Sequence, residues 1–119
     1  MLIRSVYCNF QIEIWHCWPN APEKYGYLKN SHRHMFHFKV SARVAHPDRQ
    51  IEFIEFKRHL TDQLSESLVS TPESPIGHSC EDMAKVAVET VRHYYSPQWC
   101  SADVSEDGEN GAVVEWIED

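Results

Sequence analysis

Apolar and polar residues alternate through the first part of the chain. Val6, Cys8, Phe10, Ile12 and Ile14 take the even positions while Asn9, Gln11 and Glu13 take odd ones, and this period of two predicts a strand from about Ile3 to His16. Between Cys17 and Ser31 the alternation stops, and Pro19, Asn20, Pro22 and Gly26 predict a loop. Alternation returns at His32 and places Phe36, Phe38, Val40, Ala42 and Val44 on one face of a second strand, from about His32 to Ala45, which His46-Pro47-Asp48 ends. From Ile51 to Leu68 the period becomes three and four, through Phe53, Phe56, Leu60, Leu64 and Leu68, as one face of a helix requires; Glu55, Lys57, Arg58, Asp62 and Glu66 then form its solvated side. Thr71 to Gly77 has the composition of a loop. Ser79 is a natural N-cap, answered by Asp82, for a second helix with the stripe Met83, Val86, Ala87, Thr90, Val91 and Tyr94, which stops before Pro97. Two short strands close the chain, Trp99 to Glu106 and Ala112 to Ile117, joined by Asp107-Gly108-Glu109-Asn110-Gly111.

The order strand, strand, helix, helix, strand, strand predicts an α+β fold, with a four-stranded antiparallel sheet carrying two helices on one face. At 119 residues the chain has the size of a single domain with one core. It holds 18 acidic against 11 basic residues, a net charge of −7, with no basic cluster, so no nucleic-acid partner is expected. No apolar run approaches a membrane span, and the first residues lack the basic-then-apolar pattern of a signal peptide; a soluble cytoplasmic protein is the expectation. Cys8, Cys17, Cys80 and Cys100 show no paired spacing and suit free thiols in a reducing compartment.

The histidines change the picture. In an extended strand His32 and His34 project from the same side as Phe36 and Phe38, so two imidazoles open a row that otherwise reads as core. His16 ends the apolar row of the first strand. If the two strands pair antiparallel, three imidazoles converge at one end of the sheet, and three neutral nitrogens with a fourth position open are the ligand set of a catalytic type of zinc site. A pair of satisfied core histidines is the competing reading of His-x-His alone; the third, in register, favours the metal.

These residues resemble the 6-pyruvoyl-tetrahydropterin and 6-carboxy-tetrahydropterin synthase family, which has the T-fold. His16, followed by His32-Arg33-His34-Met35-Phe36, is similar to the family's first-strand His and its His-x-His leading into an aromatic strand, with Arg33 where Gly is usual. Glu52-Phe53-Ile54-Glu55-Phe56-Lys57 is similar to the start of its first helix, Ser79-Cys80-Glu81-Asp82-Met83-Ala84 to the start of its second, and Glu106 with Ala112 to the spacing of a Glu and Ala in its last strands. The resemblance implies zinc on His16, His32 and His34, and a reduced pterin such as dihydroneopterin triphosphate as substrate. It further implies that Glu106 anchors the guanidine-like edge of the ring with help from Ser79 and Cys80, and that copies of the chain assemble as trimers or hexamers.

The sequence departs from the family at the catalytic groups. The family places a Cys four residues before the His-x-His pair, and Leu28 stands there, a residue that neither takes nor gives a proton. Cys17, next to His16, is expected on the opposite face of the strand. No Asp-His pair occurs in Ser67 to Thr71. His78, and Glu23 from the loop, are the remaining candidates for an acid or base. Three functions follow as expectations: a zinc-dependent lyase on a reduced pterin, a zinc-containing module that binds a pterin or purine-like ligand without the ancestral chemistry, and an assembly subunit whose histidines are structural.

Overall fold

A computed structural model describes residues 1–119. In chain order the elements are β1 (Arg4–His16), a 3₁₀ segment (Glu23–Lys29), β2 (His32–Val44), α1 (Phe53–Ser67), α2 (Cys80–Tyr95), β3 (Trp99–Glu106) and β4 (Asn110–Ile117). The strands form one antiparallel sheet in the order β1-β2-β3-β4, and both helices cover the same face, α1 over β1 and α2 over β3 and β4. The α+β class expected from the periodicity is the class observed.

Period-two patterning dictates which side chains face the helices. Cys8, Phe10 and Ile14 of β1, Phe36, Phe38, Val40 and Ala42 of β2, and Cys100, Ala102 and Val104 of β3 are buried against Phe56, Leu60 and Leu64 of α1 and Met83, Ala84, Ala87, Val88 and Val91 of α2. Phe10 and Phe38 are directly opposed across the β1–β2 ladder and stack with centroids 5.1 Å apart.

Several details differ from the sequence reading, among them the start of β4, at Asn110 rather than Ala112. The stretch from Cys17 to Ser31 is not wholly irregular, because Glu23–Lys29 winds into the 3₁₀ segment, whose short turns leave no long apolar period to read. Phe53, expected on the apolar face of α1, is exposed; it is the first residue of the helix, and Ile51, ahead of the Glu52 N-cap, is buried in its place. Tyr94 is likewise exposed, since α2 turns Cys80, Met83, Ala84, Ala87, Val88 and Val91 inward, the small alanines allowing a close approach to the sheet.

One edge contact matters for the site. The far end of β1 is strapped by the segment between the helices: the Trp15 N–H donates to Ser70 Oγ (2.8 Å), the Ile76 N–H to the Trp15 carbonyl (3.0 Å) and the Cys17 N–H to the Ile76 carbonyl (3.0 Å). This brings His78 and the start of α2 alongside His16.

Candidate metal centre

The β1–β2 register sets His16 directly opposite His32 and Ile14 opposite His34. Since side chains two apart share a face, all three imidazoles stand at the same end of the helix-covered face, His16 buried and His32 and His34 partly exposed. Their ligand nitrogens lie within 4.8 Å of one another, and Phe36, fully buried, meets the His16 and His34 rings edge-on from below.

Every Nδ1 in the trio is engaged. His32 Nδ1 is 2.8 Å from the Asn30 carbonyl oxygen, His16 Nδ1 is 3.3 Å from the His78 carbonyl oxygen, and His34 Nδ1 is 2.8 Å from Asp107 Oδ2. Carbonyl and carboxylate oxygens only accept, so a hydrogen bond at Nδ1 requires the ring proton there and leaves the lone pair of the neutral form on Nε2. Burial holds the His16 imidazole below its ordinary pKa of 6.5, outweighing the opposing pull of the His78 carbonyl, so this ring is neutral at pH 7. His16 Nε2 is buried and has no hydrogen-bond partner. A buried imidazole lone pair with nothing to accept, beside two further imidazoles that are likewise bonded at Nδ1, is what a metal ion completes; the three residues can hold one.

Glu106, at the end of β3 and paired with Phe36, points its carboxylate at the same place. Its oxygens are 3.4 Å from His34 Nε2 and 3.8 Å from His16 Nε2, and the side chain keeps 31% of its surface exposed. A cleft of about 680 Å³ opens beside the imidazoles, lined by His16, His32 and Glu106 together with Leu28, His78 and the first residues of α2. His34, the third imidazole, is not among the lining residues and sits on the side of the β3–β4 turn, against Asp107.

No family model and no curated protein matches this chain.

The remaining candidates divide. Ser79 and Cys80 line the cleft at the N-terminus of α2. Ser79 Oγ accepts from the Asp82 N–H (3.1 Å) as the N-cap, which leaves its O–H free to donate into the cleft. Burial, with Glu106 and Glu81 nearby, pushes the Cys80 thiol up to about 11, so it remains protonated at neutral pH. His78 lines the cleft and is half-buried, whereas Glu23 is exposed on the first turn of the 3₁₀ segment and is not among the lining residues; Leu28, from the same segment, is. Cys17, expected on the opposite face, lines the cleft as well: β1 ends at His16, so strand alternation no longer governs the next residue. Sequence reading also missed Asp107, which looks like any turn acid until the hairpin folds its carboxylate back to β2.

Proposed function

We propose that this chain is a zinc protein of the tetrahydropterin synthase type, acting on a reduced pterin in the cleft beside His16, His32 and His34. The observation that carries the reading is the trio itself, three imidazoles each tied back at Nδ1, with the Glu106 carboxylate facing Nε2 of His16 and His34. An all-imidazole set with an open side suits zinc. Zinc, when bound, supplies a Lewis acid that polarises a side-chain oxygen of the substrate and acidifies the adjacent C–H.

The chain's own residues would do the rest. The Glu106 carboxylate accepts two hydrogen bonds side by side, which suits the ring N–H and exocyclic amino group of a pterin. Ser79 donates its free O–H to the ring, and Cys80, held as a thiol, packs beside it. Proton removal falls to His78, since Leu28 cannot perform it and Glu23 lies away from the cleft. The lining residues include Glu81, Asp82 and Glu106 but no lysine or arginine, so within one chain nothing offsets the charge of a triphosphate. Pairing of the free edges of β1 and β4 between copies, into trimers or hexamers, would let a neighbouring chain supply that charge. The free thiols suit a cytoplasmic setting.

A second reading, a module that binds a pterin or purine-like ligand without turning it over, is favoured by Leu28 in the cleft. Loss of a positioned acid or base slows a reaction by roughly 10²–10⁴. The test is to incubate the zinc-loaded protein with dihydroneopterin and its triphosphate separately, and to identify every pterin afterwards by mass spectrometry, free and retained. Conversion faster than in Glu106→Ala supports the lyase. Unchanged pterin retained by the protein, and released by the same substitution, supports the binding module; neither conversion nor retention counts against both.

A further inference from the structure

The three imidazoles are not tied back alike. His16 and His32 donate to neutral main-chain carbonyls, whereas His34 donates to the carboxylate of Asp107. That carboxylate is held from two sides: Oδ2 takes the His34 Nδ1–H at 2.8 Å, and Oδ1 takes the Met35 main-chain N–H at 3.1 Å. The Asp107 main-chain N–H donates in turn to the Met35 carbonyl at 2.8 Å, so the turn residue is fastened to β2 by both its backbone and its side chain. Asp107 reaches this position with φ +56°, followed by Gly108 at +76°, in a turn closed by the Glu109 N–H donating to the Glu106 carbonyl at 3.0 Å. Aspartate and asparagine adopt that backbone more readily than most residues.

We infer that Asp107 is a positioning residue for the metal centre: it fixes the ring orientation and the Nδ1–H form of His34, and so keeps His34 Nε2 available as a ligand. The inference rests on the metal-binding part of the reading above and not on any substrate. An anionic acceptor behind a ligand imidazole also makes that ring the more basic donor, and loss of such a partner typically weakens metal binding by about 10- to 100-fold. The two-sided grip makes asparagine a sharp probe. An asparagine at 107 has one oxygen where Asp107 uses two; if it serves Met35, the amide NH₂ faces His34 and calls for a lone pair on Nδ1, driving the ring proton onto Nε2, where it blocks the ligand position.

Asp107→Asn and Asp107→Gly both tolerate the left-handed backbone, so the hairpin is retained in each, as unfolding curves will check. The first readout is ¹⁵N NMR of the His34 ring in metal-free protein, titrated to its neutral form. The wild-type chain should show the Nδ1–H tautomer, Asp107→Asn the Nε2–H tautomer, and Asp107→Gly a mixture. The second is zinc affinity by competition with a chromophoric chelator, with a loss of about 10- to 100-fold in Asp107→Asn. An unchanged tautomer in Asp107→Gly overturns the inference, as does an unchanged zinc affinity in both variants. Failure of the wild-type chain to bind zinc would instead strike the metal reading, and the tautomer would still decide what Asp107 does to His34.

Discussion

At the scale of single residues, His16 is 8% exposed and its Nε2 has no partner. A buried polar atom left unsatisfied costs about 1–3 kcal/mol, so the metal-free protein gives up stability at this position. A ligand present at a thousand times its dissociation constant adds about 4 kcal/mol to a fold that it alone recognises. Zinc should therefore raise the thermal unfolding midpoint, and a chelator should lower it again. In His32→Ala the zinc-dependent shift should vanish; equal midpoints with zinc and with chelator in the wild-type chain would remove the case for the site. The thiols give a second expectation. Burial pushes Cys8 and Cys100 from 9.0 up to about 11, so each favours the folded state only while protonated. Their contribution is complete below about pH 9 and is lost as the pH rises towards 11. Urea unfolding across that range should show falling stability, with a shallower fall in the double variant Cys8→Ala/Cys100→Ala.

At the scale of elements, the β3–β4 hairpin carries Glu106 and Asp107 to the site, and its close packing depends on Gly111. Gly111 is paired with Ser105, and a Cβ built there would meet the Val104 carbonyl oxygen and stand 2.5 Å from Ser105 Cα. No side-chain adjustment relieves a clash with backbone. Gly111→Ala should destabilise the protein by roughly 2–4 kcal/mol, read from urea unfolding, and should weaken zinc binding by displacing the turn. The start of α2 is more forgiving: Ser79→Ala, which removes the oxygen that accepts from the Asp82 N–H, should cost about 1 kcal/mol. Most of these elements are legible in the chain because their signals are local. The Ser79 cap, the strand alternation and the Asp107-Gly108 turn each depend on neighbours in sequence. The inward stripe of α2 was legible only in part, because Val86 and Thr90 share the helical period but flank the buried row that the sheet selects.

At the scale of the whole molecule, the sheet has two outer strands. β1 is thirteen residues long and is strapped only near Trp15 to Cys17, while β4 has no strand on its far side and exposes Val113 and Ile117 on the face away from the helices. Long unpaired edges invite pairing, and the proposed assembly satisfies them between copies. Light scattering coupled to size-exclusion chromatography should give a mass of three or six chains; a mass of 13.9 kDa, that of one chain, would rule the assembly out. No helix is long and apolar enough to cross a membrane.

The sequence by itself determined the element order, the α+β class, the faces of the strands and the convergence of His16 with His32 and His34. All of these follow from periodicity and from one antiparallel pairing across a loop. Only the tertiary structure decided what stands behind His16 and His34. The acceptors at His78 and Asp107 lie 62 and 73 residues from the rings that they hold, and contacts of that span leave no periodic trace in a chain. The same reason explains Cys17 and Glu23. Whether a loop residue faces a cleft depends on where its strand ends and on which segment packs over it, and those are properties of the folded molecule.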